Sequence, residues 1–356
     1  MTPRNNRRKR GSKLILVSED PPSPIIFLQR NIRADTRLTV FKQEFHLHSS
    51  GRKYHSNYFR KFLDSVDKQP APANATFKYD YRSVIDEDGS WALMPAVEEV
   101  TDELLALVDQ PEEEIECFRK LLCAIHTKSY TIQDTDQLSR LTRLADYYCA
   151  LPVVSGTLTG ALLRSPMFTI LKSGKKDAGC ECQKEARTLL VLTRKLRHQL
   201  LFKECLIHTV TSWDNDTTPP EDPIKQDKEL HNLVMLKLGA LYASIAKAQQ
   251  GILAAAFRDC DVTCGLSIGD ADFDLNDVTH SVRFFRKFNC TVSDPEHYPN
   301  FDDANTTNTI ISLLKNNLTL DWTGDEPGEE GIYKRSFLCT DIEDDEYPWD
   351  LEEIDW

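Results

Sequence analysis

Residues 112–163 have the sequence EEEIECFRKLLCAIHTKSYTIQDTDQLSRLTRLADYYCALPVVSGTLTGALL, and the rest of the chain is organised around this stretch. Apolar residues recur in its first part at spacings of three and four, which predicts a helix with one buried face. These residues are Ile115, Phe118, Leu122 and Ile125. The charged residues Glu116, Arg119 and Lys120 are expected on the exposed face of the same helix.

Two further helices are predicted in the same stretch. Asp134 and Gln137 have the spacing of a capping box, which marks the start of the second helix. Its apolar stripe consists of Leu138, Leu141, Ala145 and Tyr148. Pro152 marks the start of the third helix, because the first turn of a helix does not need its amide hydrogen, and Ser165-Pro166 marks the end.

Strands and a short helix are predicted upstream of these helices. Leu38, Val40, Phe45 and Leu47 alternate with polar residues, which predicts a hairpin of two half-buried strands with its turn at Lys42-Gln43. A third strand is expected at 77–85, where Phe77, Tyr79 and Tyr81 line one side. A helix is expected between the hairpin and this strand, at 57–65.

In this order the segments resemble a BTB/POZ domain, of a variety typical of fungi. The motifs that are similar to its second half are Phe118-x-x-Leu121-Leu122, Thr127-x-x-Tyr130 and Leu141-x-x-Leu144-Ala145-Asp146-x-Tyr148. TRLTVFKQEFHLHS at 36–49 and HSNYFRKFL at 55–63 resemble the strand hairpin and the Ser-x-x-Phe helix of the first half. The sequence departs from the family at Gly51-Arg52-Lys53, where relatives usually have an apolar helix that helps to build a dimer surface.

The resemblance implies an α+β fold in which a small sheet is covered by short helices. It also implies dimerisation or the docking of a partner protein. Relatives often act as substrate adaptors that join a target to a cullin scaffold for ubiquitination. We therefore expect a non-enzymatic protein–protein interaction module, with a second copy of the chain and a cullin as the candidate partners.

The remaining sequence suggests six segments. Leucines spaced by three or four residues at 189–200, and a stripe of seven apolar residues between Leu230 and Ile252, predict a helical extension. Beyond it, short helices are expected only at 282–288 and 309–320. The segments are a basic arm (1–23), the BTB/POZ-like domain (24–167), a linker (168–184), the helical extension (185–259), a weakly structured segment (260–324) and an acidic, aromatic and disordered tail (325–356).

The charge of the chain is concentrated in the last of these segments, called the acidic segment below. Residues 325–356 carry 13 acidic and two basic side chains, and so account for −11 of the net charge of −13. Nucleic-acid binding requires a basic surface, so this charge balance argues against a nucleic-acid partner. No apolar run is long enough for a membrane span or a signal peptide, which predicts a cytoplasmic or nuclear protein without a membrane partner.

The sequence predicts no cofactor, metal site or catalytic residue. Asp270, Asp272, Asp274 and Asp277 imitate a calcium loop, but the glycine and glutamate that such a loop requires are Leu275 and Ser281 here. Cys180-x-Cys182 and Cys260-x-x-x-Cys264 lack the spacing of a zinc site, so we interpret them as loop cysteines without a ligand role. No phosphate-binding loop or nucleophile motif is present.

The acidic segment is the candidate interaction site. Tyr347, Trp349, Leu351 and Trp356 alternate with acids there, and a partner with a basic-rimmed apolar groove would bury them. The alternatives are a disordered segment without a partner and a segment that folds back onto the helical extension. A second hypothesis is a nuclear transcriptional regulator, in which Arg7, Arg8, Lys9 and Arg10 direct nuclear import and the acidic segment recruits partners.

Overall fold

The computed structural model describes residues 22–27, 32–50, 55–63, 75–95, 101–163, 165–169, 180–214, 218–258, 278–292, 304–323, 331–354 and 356. Within these residues the chain is a mixed α and β protein with one five-stranded sheet and twelve α-helices. The mixed class predicted from the sequence is confirmed at this level. None of the helices so described is both long enough and apolar enough to cross a membrane.

The chain divides into two compact units. The first contains Met1–Ser50 and Leu63–Ile115, and the second contains Gly51–Phe62 and Glu116–Trp356. The sheet belongs to the first unit, and most of the helices belong to the second. The six segments proposed from the sequence stay predictions.

The sheet of the first unit is built on the predicted hairpin. Its strands are β1 Ile25–Phe27, β2 Thr36–Val40, β3 Gln43–Leu47, β4 Tyr79–Ile85 and β5 Trp91–Pro95. Their order across the sheet is β1-β3-β2-β4-β5. The pairs β2–β3 and β4–β5 are antiparallel, whereas β1 is parallel to β3 and β4 is parallel to β2.

The hairpin prediction is confirmed, with the turn at Phe41-Lys42. Leu38, Val40, Phe45 and Leu47 are all fully buried, as their alternation requires. Phe41 takes a φ of +53°, which is unusual for a residue with a side chain. Its amide donates to Ser83 Oγ at 2.8 Å, so β4 holds the turn in this conformation.

The strand β5 is not among the elements predicted from the sequence. Trp91 and Leu93 point into the core of the first unit, and the Trp91 indole donates to Glu114 Oε2 at 3.0 Å. The turn before β5 contains Gly89, with a φ of +81°. A Cβ at this position would lie 2.3 Å from the backbone oxygen of Leu107, so the turn requires glycine.

The helices follow the periodicity of the sequence closely. Their bounds are α1 Asn57–Leu63, α2 Asp102–Leu105, α3 Pro111–Ile125, α4 Thr135–Tyr147, α5 Leu151–Leu162, α6 Glu181–Lys184, α7 Ala186–Leu196, α8 Gln199–Thr211, α9 Pro223–Gln226, α10 Lys228–Arg258, α11 Val278–Val292 and α12 Ala304–Leu314. The three helices predicted within residues 112–163 are confirmed as α3, α4 and α5. The helix predicted at 309–320 is wrong in its bounds, because α12 begins at Ala304 and ends at Leu314.

The exposed position predicted for Lys120 on α3 is wrong. Its side chain is buried, and its ammonium group contacts Gln137 Oε1 and lies 3.6 Å from Glu116 Oε1. Burial lowers the pKa of Lys120, and the nearby Glu116 carboxylate opposes this effect. Asp134 caps α4 by accepting the Gln137 amide at 2.8 Å, but the Gln137 side chain accepts from the Gln133 amide instead of completing the capping box.

The leucine pattern at 189–200 runs across a break between two helices. α7 ends at Leu196, Arg197 follows it with a left-handed φ of +49°, and α8 begins at Gln199. His198 caps α8 through Nδ1, which accepts the Leu201 amide at 3.2 Å. Neither glycine nor proline marks the break, so no standard sequence signal predicts it.

The predicted disorder of the acidic segment is wrong for the part that the structure describes. Tyr333, Phe337, Leu338 and Ile342 are buried in the second unit. The backbone of this part is also bonded, since the Asn317 amide donates to the Leu338 oxygen at 3.0 Å. The described part of the acidic segment therefore packs into the second unit despite its negative charge.

Candidate protein-interaction site

The four residues predicted as interaction residues lie on the second unit and are half-buried. The rings of Trp349 and Phe202 meet edge to face, with centroids 4.9 Å apart. The centroid of Tyr347 lies 5.8 Å from that of Phe202. Because Phe202 is fully buried in α8, both rings extend an existing apolar core outward. Burial also raises the pKa of Tyr347 to about 12, so its hydroxyl remains protonated.

Arg197 holds the far end of the acidic segment. Its guanidinium carbon lies 4.9 Å from the centroid of the Trp356 ring. The same guanidinium forms an ion pair with Glu353. A cation over the face of a tryptophan ring is favourable, so the Arg197 side chain binds both an aromatic ring and a carboxylate of the segment.

Two lysines bind acids nearer to the start of the segment. Lys203 of α8 lies 2.6 Å from Asp341 Oδ1, and Lys237 of α10 pairs with Glu346. Burial raises the pKa of both carboxyl groups, but hydrogen bonds from the lysines and from backbone amides outweigh it. The net pKa of each acid is below its ordinary value. Both acids are therefore ionised at neutral pH.

Residues in the described part of 341–356 contact Arg197, Phe202, Lys203 and Lys237, and these four side chains are called the basic groove below. The break between α7 and α8 determines the position of Arg197 in the basic groove. His198 Nε2 lies 3.0 Å from Thr159 Oγ1, and burial lowers the pKa of His198 to about 4. The imidazole is neutral at neutral pH, so Nδ1 accepts the helix amide while Nε2–H donates to Thr159 on α5.

The acidic segment does not fill the groove. A cavity of about 330 Å³ remains beside it, lined from both sides by Ser155, Thr159, His198, Trp349, Leu351 and Trp356, among others. The indole nitrogen of Trp356 is buried and has no hydrogen-bond partner among the described residues. An unsatisfied buried donor is costly, so the position of Trp356 carries an unfavourable contribution to the binding of this end of the segment.

A buried polar cluster includes Tyr333 of the acidic segment. The Glu204 carboxylate accepts the amides of Thr319 and Leu320 at 2.9 and 3.1 Å. Burial raises the pKa of Glu204 to about 7, although these two hydrogen bonds oppose the shift. The Tyr333 hydroxyl lies 3.1 Å from Cys180 Sγ and donates to Asp321 at 3.4 Å. The cluster ties residues 319–321 and 333 to α8.

The interpretation of Cys180 and Cys182 as loop cysteines is wrong. Both thiols are fully buried, and Cys180 caps α6 by accepting the Gln183 amide. His208 is also buried in this region, where burial lowers its pKa to about 4. Neither ring nitrogen of His208 has a hydrogen-bond partner in the described part of the chain. The sequence could not reveal the cluster, because its members are separated by up to 153 positions.

Several sequence predictions fall on residues outside the described ranges. These are the basic arm with Arg7, Arg8, Lys9 and Arg10, the aspartates between 270 and 277, and Cys260 and Cys264. Among the residues that are described, no three or more His, Cys, Asp or Glu side chains form a group that could hold a metal ion.

Comparisons with known proteins give no identification. No family model matches the chain, and neither a curated protein nor a solved structure is significantly similar to it.

Proposed function

We propose that this protein is a non-enzymatic protein–protein interaction module of BTB/POZ type, which dimerises or docks a partner protein through residues 24–167. The specific role that we propose is that of a substrate adaptor for a cullin-based ubiquitin ligase. The non-enzymatic part of the proposal rests on the absence of reactive motifs from the sequence.

The observation that carries the proposal is the packing around Tyr148. The residues that resembled the family's motifs in both halves meet at this side chain. Phe59 stacks on the Tyr148 ring, with centroids 5.2 Å apart and an interplanar angle of 3°. Phe118 meets the same ring at 5.7 Å and 66°. Ser56 donates its hydroxyl to the Tyr148 backbone oxygen and accepts the Phe59 amide at 3.1 Å.

The pattern of burial supports the same proposal. The apolar residues of the second-half motifs are buried without exception, namely Phe118, Leu121, Leu122, Tyr130, Leu141, Leu144, Ala145 and Tyr148. The polar member Asp146 is exposed and pairs with Lys195 at 2.6 Å. A chance match of motif letters would not be expected to divide so cleanly into core and surface.

Affinity purification of the tagged full-length chain from a fungal host tests the adaptor role. We expect a cullin to co-purify in a stable ratio to the chain. The control is a chain in which Arg7, Arg8, Lys9 and Arg10 are changed to alanine. This change should leave cullin capture unaltered if the protein is an adaptor. Absence of any cullin, together with nuclear accumulation that the same change abolishes, would replace the proposal with the transcriptional regulator.

A further inference from the structure

We propose that the basic groove is a binding site for acidic, aromatic peptide segments of a partner protein, and that the chain's own residues 343–356 occupy it when the partner is absent. The groove lies on the second unit and uses none of the residues around Tyr148. This interaction is therefore additional to the docking proposed for residues 24–167, and either one can fail without the other.

The chemistry of the bound segment defines the class of ligand. Two cations from separate parts of the chain, Arg197 and Lys237, each face one carboxylate of residues 343–356, while Lys203 is paired with Asp341. Between these ion pairs the groove presents Phe202 to two aromatic rings. A ligand for this surface needs carboxylates near both ends and large aromatic side chains between them. Charge complementarity of this kind selects acidic partners and rejects basic ones.

The geometry indicates that the segment can be displaced. Glu353 is 45% exposed in its ion pair, and Ile354 is 85% exposed. Exposed ion pairs are weak and are screened by salt. The cavity of about 330 Å³ beside Trp349 and the unpartnered indole nitrogen of Trp356 leave space and one hydrogen-bond donor that the chain's own segment does not use.

Displacement should end near Ile342. Tyr333, Phe337, Leu338 and Ile342 are 1 to 8% exposed and belong to the core of the second unit. Residues 343–354 are exposed or half-buried, as is Trp356. The chain can therefore release its last residues without losing the packing that supports the groove.

A peptide-binding experiment with full-length chains tests the proposal. The probe is a fluorescently labelled peptide with the sequence of residues 341–356, followed by anisotropy. The opened variant carries Glu346→Lys and Glu353→Lys, which reverse two acids that face the groove. The matched control carries Asp345→Lys and Glu352→Lys, which reverse two exposed acids for which the described residues show no ion pair. Both variants have the same net charge.

We expect the opened variant to bind the peptide at least about 10-fold more tightly than the wild-type chain, because a tethered competitor acts at a millimolar effective concentration. The control variant should bind as weakly as the wild type. A peptide with Trp349→Ala and Trp356→Ala should lose at least about 10-fold in affinity for the opened variant, because buried aromatic anchors dominate such interfaces.

Three results would overturn the proposal. The first is equal affinity of the opened and control variants, and the second is no binding to an opened variant whose circular dichroism matches the wild type. The third is a wild-type dimer, by light scattering, that becomes monomeric in the opened variant, since a second copy would then be the occupant. If the opened variant does not fold, a full-length chain that lacks residues 343–356 takes its place with the same expected result.

Discussion

Replacing Glu204 with glutamine should change the stability of the protein in a way that depends on pH. Glu204 is 1% exposed, and its two oxygens accept the amides of Thr319 and Leu320. Burial raises its pKa from an ordinary value of 4.5 to about 7. The folded chain therefore keeps a proton on Glu204 between these two pH values, while the unfolded chain has already lost it.

The sign and size of the effect follow from this difference in pKa. The raised pKa means that Glu204 stabilises the fold fully below pH 4.5, and this contribution is lost as the pH rises through 7. Between pH 5 and pH 8 the loss is about 2–3 kcal/mol. Glutamine does not titrate. The free energy of unfolding of the Glu204→Gln variant, measured relative to the wild type, should therefore rise by this amount between pH 5 and pH 8. Its amide group also forfeits one backbone hydrogen bond, a penalty of about 1–3 kcal/mol that does not depend on pH.

Urea unfolding followed by tryptophan fluorescence at pH 5, 6, 7 and 8 measures both proteins. Burial lowers the pKa of both His198 and His208 to about 4, so each destabilises the fold as the pH falls below 6.5. These contributions cancel in the difference between the two proteins, because both contain the same histidines. Glu352→Gln, at an exposed position, serves as the control for the loss of one carboxylate. A difference between Glu204→Gln and wild type that stays constant across this range would show that folding does not raise the pKa of Glu204.

Other predictions concern the core around Tyr148 and the glycine turn. Ser56→Ala should reduce the free energy of unfolding by about 2 kcal/mol, because it removes a helix cap and the hydrogen bond to the Tyr148 oxygen; an unchanged urea midpoint would contradict that role. Gly89→Ala should cost about 2 kcal/mol or more, because φ is +81° and the added carbon would meet the Leu107 oxygen. Gly156→Ala, where nothing lies within 4 Å, should instead stabilise its helix by about 0.5–1 kcal/mol. A thermal melt in which Gly89→Ala unfolds at the wild-type temperature or above it would show that the turn is not strained.

The elements that could be predicted from the sequence are those in which local pattern and tertiary packing agree. Leu138, Leu141, Ala145 and Tyr148 form a stripe that is fully buried in α4, and the alternation in the hairpin is equally plain. The short strand β1 and the strand β5 were not predicted. β1 spans only three residues, and β5 ends at an exposed methionine and a proline, so neither alternates for long enough to give a signal.

The position of Lys120 shows a different limit. The charge of Lys120 predicted an exposed side chain. However, Gln137 on α4 accepts a hydrogen bond from the ammonium group, which reduces the free-energy cost of burying it. A partner that comes from another helix cannot be found from the spacing of residues on one helix.

Only the residues of the acidic segment were proposed from the sequence as part of the candidate site. Tyr347, Trp349, Leu351 and Trp356 were identified because large apolar residues among acids are rare in segments that remain in solvent. The groove that contacts them was not identified, because Arg197, Lys203 and Lys237 come from three separate places, namely the junction of α7 and α8, α8 and α10. Arg197 itself takes the left-handed conformation at that junction, and no glycine marks the position. Composition alone predicted disorder, since it cannot show that cations elsewhere in the chain will pair with the acids.

Calorimetric titration of the purified full-length chain with a purified cullin scaffold is a direct test of the proposed adaptor role. We expect saturable binding with one cullin per chain and a dissociation constant of about 1 μM or tighter, which corresponds to about 8 kcal/mol. Ser56 is buried, so the Ser56→Ala variant should bind the cullin as the wild type does when it is folded. No heat of binding to any cullin of a fungal host, at concentrations of about 100 μM, would contradict the claim that the chain is an adaptor for a cullin-based ligase.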